Sequence, residues 1–306
     1  MHDDRVIIAV DVGGTHTRAV VLQSLRQVSA VVVLKTMPSG ATSICETISD
    51  LCRELIGKNE HVEGIAVAMA CVVRPESGIV ETSRKFSIQQ PTDLGEMLQS
   101  ALKLPTIVRT EISMAALGET TAAVPSSSRN LVVLTVGTGV GAGVVLGGVL
   151  YRGLRGCAGE VGHIPVVQSS EARLCVCGRR GCIESYAASR SITRAVAAGP
   201  WERPEEAVKA ALEGDREALK AVGATSKYIA LAASICANAF DPEVIMLRGG
   251  FVRGIWPLVS DSIQEHFSEY SLSPNIPLLL SRFGEDGVFR GLAIEWATGA
   301  HEFPRT

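Results

Sequence analysis

Two stretches of this chain share one plan. RVIIAVDVGGTHTRAVVLQS, from Arg5, and LVVLTVGTGVGAGVVLGGVLY, from Leu131, each read as a strand, a tight glycine turn and a second strand. Both strand pairs are rich in β-branched residues, and both turns are rich in glycine. A plan that occurs once in each half of a 306-residue chain calls for two α/β bodies rather than one. If each body carries a phosphate-type turn, a cleft between the two is expected to grip one polyphosphate.

The rest of the chain alternates as such layers require. Strands are expected at 27–36, 62–73, 106–110, 243–250 and 276–283, and helices at 41–57, 94–104, 112–123, 203–212, 216–239, 256–270 and 287–299. AAVPSSSRN, residues 122–130, is the most linker-like stretch. Hydrophobic residues make up 46% of the chain and charged ones 20%, enough apolar surface for sizeable cores. A net charge of -3 gives no electrostatic reason to expect nucleic acid or an anionic membrane as partner. The apolar runs are broken by glycines, which suits turns better than a membrane span. MHDDRVIIAVDVGG lacks the basic region and cleavage site of a signal peptide. A cytoplasmic location is therefore expected, with the eight cysteines mostly reduced. Cys45 and Cys52 share an apolar helical face with Ile44, Ile48, Leu51 and Leu55. They read as core thiols, as do Cys71, Cys157 and Cys236.

Four motifs carry chemistry. In DVGGTHTR, Gly13 and Gly14 lack Cβ, so backbone N–H groups can approach an anion, and Thr15 adds a hydroxyl. Asp11, at the end of the strand, is placed to hold a metal ion or its water beside a phosphate. An ordinary hairpin turn would look the same. In TVGTGVGAG, glycines alternate with small residues, a composition suited to wrapping phosphates. It lacks the Gly-Lys-Ser/Thr of a Walker loop and is followed by a strand, unlike a Rossmann turn.

The third motif is LCVCGRRGCIES. Cys175, Cys177 and Cys182 lie on a Gly-rich turn, and His163 in GEVGHIP is the nearest candidate for a fourth ligand of tetrahedral zinc. Such a closed Cys3His site would be structural. A redox pair and plain surface thiols are the other readings. The fourth is a polar set: Glu160 and His163 share the GEVGH turn, and Glu184 follows Cys182 by two residues. Held together by a metal, they would line a cavity suited to a polyol; without one, both carboxylates read as solvated surface acids.

Taken in order, DVGGTHTR, VGTGVGAG, GEVGHIP, CVCGRRGCIES and FDPEVIMLRGG resemble the ROK family of bacterial sugar kinases and repressors, over residues 6 to 298. The resemblance implies an actin-like ATPase (ribonuclease H-like) fold. Its N-terminal α/β domain would span 1–118, completed by a C-terminal helix at 291–306, and its C-terminal domain 119–290. It implies an ATP-dependent, Mg2+-requiring kinase acting on the primary (6-) hydroxyl of a hexose of the allose, glucose or N-acetylmannosamine type, in a homodimer. Details such as GTHTR and GEVGHIP are most similar to the D-allose kinase and glucokinase-like members. By motif match, Asp11 would help to hold Mg2+, while Gly13, Gly14, Thr15, Gly137, Thr138 and Gly139 would meet the phosphates of ATP. Gly249 and Gly250 would lie near the adenosine. Glu160, His163 and Glu184 would bind sugar hydroxyls, and His163, Cys175, Cys177 and Cys182 would bind a structural Zn2+. The family's repressors carry a helix-turn-helix ahead of the first strand, and with that strand starting at about residue 6 the kinase branch is expected instead.

The chain departs from the family in three places. Family kinases usually carry Glu-Asn-Asp-x-Asn before Ala-Ala-Leu-Gly-Glu, where the Asp is the general base. Here VRTEISMAALGE puts Thr110 at the first Asn and Glu111 at the Asp. Glu111 is one methylene longer, and misplacement by about 1 Å can cost ~10²-fold in rate. Either the pocket suits Glu111, or the protein is a weakened or inactive member acting as a sugar- or nucleotide-binding regulator. ETSRKFSIQQ replaces the family's Pro-Asn-Leu, putting Arg84 or Lys85 where a basic group would recognise a different or anionic acceptor. Arg248 stands where the family usually has Gly and would crowd or re-aim the adenosine site.

Overall fold

A computed structural model describes residues 5–37, 39–59, 61–121, 128–195 and 201–298. Most of the linker expected at 122–130, and residues 299–306 of the expected last helix, lie outside them. In chain order the first elements are β1 (Val6–Val12), β2 (His16–Gln23), β3 (Arg26–Gln27), β4 (Val32–Lys35), α1 (Ala41–Ile56), β5 (Val62–Met69), α2 (Leu94–Leu102), β6 (Thr106–Thr110) and α3 (Glu111–Glu119). Then come β7 (Leu131–Val136), β8 (Val140–Leu146), β9 (Val149–Tyr151), α4 (Glu184–Ala187), α5 (Arg190–Ala195), α6 (Pro204–Leu212), α7 (Arg216–Phe240), β10 (Val244–Arg248), α8 (Gly250–Tyr270), β11 (Leu278–Leu280) and α9 (Gly287–Ala297).

The chain forms two compact units. One comprises Met1–Ala122, Arg152–Ala158 and Asp286–Thr306, the other Ala123–Tyr151 and Gly159–Glu285. The first is built on a sheet ordered β3-β2-β1-β5-β6, with β4 also pairing with β2. The second is built on β11-β10-β7-β8-β9. The plan read from the two hairpins recurs in three dimensions. In each sheet an antiparallel hairpin, β1–β2 or β7–β8, adds two parallel strands, β5 and β6 or β10 and β11, on the side of its first strand.

The first unit's core gathers Ile8, Val10 and Val12 of β1, Val21 of β2 and Ile65 and Val67 of β5. Against them pack Ile44, Ile48, Leu51 and Leu55 of α1, the face that the sequence marks as apolar. Cys45 and Cys52 lie in this core, and burial pushes the Cys52 thiol up to about 12. On its other side α3 packs against α9 at van der Waals limits. A Cβ on Gly118 would collide with the carbonyl of Gly287, and one on Gly291 with the carbonyl of Met114. Glycine lets the two backbones touch, and this holds α3, with Glu111 at its start. A buried ionic group ties α9 to the same unit: Arg109 Nε donates to Glu295 Oε1 at 2.6 Å, and Arg152 pairs with Glu295 Oε2.

In the second unit α7 and α8 cover the sheet, burying Ile229, Ala233 and Cys236 of α7 with Val252, Ile255, Val259 and Ile263 of α8. α8 begins at Gly250, six residues before the helix expected at 256–270. Proline normally marks the first helical turn, but here the turns before it bury Val252 and Ile255, and that packing outweighs the hydrogen bond Pro257 cannot donate. Cys71 is half-buried against the first unit's core, whereas Cys157 is exposed and is not the core thiol its neighbours imply. Among the described residues no helix is long and apolar enough to cross a membrane.

Candidate active site

The first glycine turn joins β1 to β2. Gly13 N–H donates to His16 O at 3.0 Å and closes it. Thr36, just after β4, holds the turn from beneath: its Oγ1 donates to Gly13 O at 2.8 Å and its N–H to Thr15 O at 2.9 Å. Thr15 is exposed, and the Lys85 stem lies against Gly14. Asp11 is buried, and its cross-strand partner in the β1–β2 register is Arg18, whose Nη2 donates to Asp11 Oδ2 at 2.7 Å. Arg18 also lies over the Phe289 ring, 5.1 Å from its centroid.

Val12, Met69 and Thr110 are register partners across β1, β5 and β6, so the three parallel strands end level. Ligands of α/β sheets bind beyond such carboxyl ends. The Gly13–Gly14 turn leaves this edge at β1, and Glu111, half-buried, leaves it two strands away as the first residue of α3. At ~4.8 Å per strand that is roughly 10 Å along the edge. Thr110 caps β6, and its Oγ1 accepts the Val73 N–H at 3.1 Å.

The second turn, Gly137 to Gly139, joins β7 to β8. Gly137 N–H donates to Gly139 O at 2.9 Å, and Gly137 O accepts the Ser189 N–H at 2.8 Å. Arg190 clamps Thr138 O with Nε at 2.9 Å and Nη2 at 2.6 Å. Gly249 precedes α8 with φ 123, and a Cβ there would stand 3.4 Å from Gly137 N. The structure thus brings Gly137, Thr138, Gly139, Gly249 and Gly250 together at the carboxyl ends of β7 and β10. Arg248 is buried, with Nε donating to Gly284 O at 2.8 Å.

Glu184 joins this turn to the cysteine loop. Its Oε2 accepts the Val140 N–H at 3.0 Å, and its Oε1 lies 3.8 Å from Cys175 Sγ. A Cβ on Gly139 would stand 2.8 Å from Oε2, so the close approach depends on glycine. Glu184 is buried rather than a solvated surface acid. Glu160 begins the short 3-10 turn Val161–His163, with its Oε2 3.7 Å from His163 Nε2. Burial pushes its carboxyl above the ordinary value and the Glu184 charge adds to this, while His163 pulls the other way.

His163, Cys175, Cys177 and Cys182 offer ligand atoms that all lie within 4.8 Å of one another. Tetrahedral zinc with Zn–S near 2.3 Å separates two sulfurs by roughly 3.8 Å and a sulfur from a nitrogen by roughly 3.5 Å. Cys177 Sγ and Cys182 Sγ stand 3.8 Å apart, and Cys175 Sγ and His163 Nδ1 3.5 Å. The sulfur separation is far beyond a disulfide bond of about 2.05 Å. Burial pushes the Cys182 thiol up to about 12, with the neighbouring cysteines adding to it. Burial also raises the Cys175 thiol, whereas at Cys177 hydrogen bonds outweigh burial and lower it; the donor set fits zinc.

Thr36 and Arg190 were not marked by any motif. Each serves the backbone of a phosphate-type turn across a long sequence separation, and no local pattern signals such a role. The Asp11–Arg18 pair was legible, because a tight turn at Gly13–Gly14 sets the register that opposes them.

Residues 7–298 match the pattern of the ROK family. A glucokinase of Halalkalibacterium halodurans is 30% identical over 290 residues, 88% of this chain and 87% of that protein. An N-acetylmannosamine kinase of Haemophilus influenzae is 27% identical over 299 residues, 94% and 93% of the two chains. Among solved structures, a ROK family glucokinase from Streptomyces griseus in complex with glucose and AMPPNP superposes with a TM-score of 0.81 at 26% identity, covering 94% of this chain and 98% of that one.

Proposed function

The chain belongs to the ROK family, and we propose that it is an ATP-dependent kinase that transfers the γ-phosphate to the 6-hydroxyl of a hexose. The observation that carries this reading is the shared carboxyl edge of one sheet, where a glycine turn and a helix-initial carboxylate, Glu111, stand two strands apart. A phosphoryl group and a general base are the two things such a transfer has to position. Similarity over nearly the whole chain to a glucokinase and an N-acetylmannosamine kinase supports it.

In this reading the Gly13, Gly14 and Thr15 turn donates to phosphate oxygens, the Gly137, Thr138 and Gly139 turn is suited to the same task, and Gly249 and Gly250 lie near the adenosine. Glu160 and Glu184 accept hydrogen bonds from sugar hydroxyls, and His163, with Nδ1 turned to the cysteines, donates one through Nε2–H. Glu111 takes the proton of the primary hydroxyl as its oxygen bonds to the γ-phosphorus; the bond from that phosphorus to the bridging oxygen breaks, and ADP leaves with the electron pair. Asp11 is the carboxylate beside the turn that would meet Mg2+, which supplies charge neutralisation on the phosphates. His163, Cys175, Cys177 and Cys182 would hold structural zinc, which keeps the loop carrying Glu184 in one shape. Free hexose, ATP and reduced thiols all fit the cytoplasm, and a homodimer is the expected assembly.

ADP release from Mg-ATP, measured against glucose, allose, N-acetylmannosamine and anionic sugars, tests the reading. Turnover on one of them establishes the kinase and names its acceptor. Sugar or nucleotide binding without turnover on any would favour a regulator that kept the fold, with Glu111 as the residue that explains the loss.

A further inference from the structure

Lys85 rests on the first phosphate turn. A Cβ added at Gly14 would stand 2.5 Å from Lys85 Cε and 3.4 Å from its Nζ, so the lysine stem crosses the face that the missing side chain leaves open. The hairpin beneath it is well anchored. Ser83 and Ile88 pair as an antiparallel bridge, and Phe86 between them is fully buried in the core. The Phe86 carbonyl accepts the Gly40 N–H at 3.0 Å. Lys85 itself is exposed, its Nζ 5.5 Å from the Phe86 ring centroid. One neighbour of Lys85 in sequence is thus locked in the core, and its own stem is steered across the turn.

Backbone N–H groups at a turn without Cβ give directional donors, and a lysine ammonium adds a compact charge. We infer that Lys85 Nζ contacts the phosphoryl group seated on the Gly13–Gly14 turn and is a further binding residue of the reaction. This rests on the kinase reading. The group would come either from the nucleotide or from the phosphorylated sugar product, since the transferred phosphoryl belongs to each in turn.

Calorimetry on the full chain separates these cases, with Mg-ATP, Mg-ADP, glucose 6-phosphate and neutral glucose as probes for the unmodified protein, Lys85→Met and Lys85→Arg. Methionine keeps the stem and removes the charge. The expected result is a ~10- to 100-fold loss of affinity in Lys85→Met for the phosphorylated probes that reach the turn, most of it restored in Lys85→Arg, and larger than any change for neutral glucose. Loss for ATP and glucose 6-phosphate but not ADP identifies the transferred group; loss for both nucleotides identifies the donor's inner phosphate. If Lys85→Met binds all three phosphorylated probes as the unmodified protein does, the inference is overturned and the lysine is a solvated side chain. If the unmodified protein binds none of them, the kinase reading falls first and the inference falls with it.

Discussion

Glu184 accepts the backbone N–H of Val140 at 3.0 Å, and so ties the loop of cysteines to the glycine turn between β7 and β8. Removing it leaves a buried N–H unsatisfied, at a cost of about 1–3 kcal/mol. Glu184→Ala should therefore weaken nucleotide as well as sugar binding, each by about 5- to 100-fold. Glu184→Gln keeps an acceptor for Val140 and should spare the nucleotide while weakening the sugar. Calorimetry with AMPPNP and with the sugar substrate separates the two, and equal nucleotide affinity in Glu184→Ala would show that the turn stands without this bond.

The purified protein should contain equimolar zinc by elemental analysis. Chelation, or Cys177→Ala, should loosen residues 159–184 and abolish sugar binding, visible as faster amide exchange over that segment. Binding the metal displaces thiol protons, so zinc affinity should fall as pH falls. Unaltered sugar binding in a metal-free sample would sink the metal assignment.

Glu111→Ala should lower kcat by ~10²-fold or more, with the binding of sugar and ATP little changed. Glu111→Asp withdraws the carboxylate by one methylene and should also be slower if the pocket has been shaped for glutamate. A drop of only a few-fold in the alanine variant would mean that another group takes the proton.

Gly118→Ala or Gly291→Ala forces a methyl group against a backbone carbonyl where α3 meets α9. Overpacking costs typically about 1–3 kcal/mol and sometimes more. The denaturant midpoint should fall, and kcat with it, because α3 carries Glu111. An unchanged midpoint would show that the two helices separate readily.

Much of this was written into short stretches of chain. The two hairpins appear as runs of β-branched residues around glycine, and their registers follow from the turns. Cys175, Cys177 and Cys182 lie within one loop, so their convergence was legible from spacing alone, and His163 was the fitting fourth group. The helix expected at 256–270 begins earlier, at Gly250, because the burial of Val252 and Ile255 overrules the local first-turn preference of Pro257. Cys157 misled because small neighbours do not reveal which side of a loop meets solvent.

Local periodicity and turn chemistry act over a few residues, so the chain's own order of side chains was enough to specify the hairpins, the amphipathic helices and the metal-type loop. The contacts that aim the chemistry join residues far apart: Glu184 with Val140, Arg190 with Thr138, Lys85 with Gly14, and Arg109 with Glu295 across 186 positions. None leaves a local trace, because each depends on which strands become neighbours and on how closely glycine lets two backbones approach. Those are properties of the packed units, and they arise only when the sheets have formed.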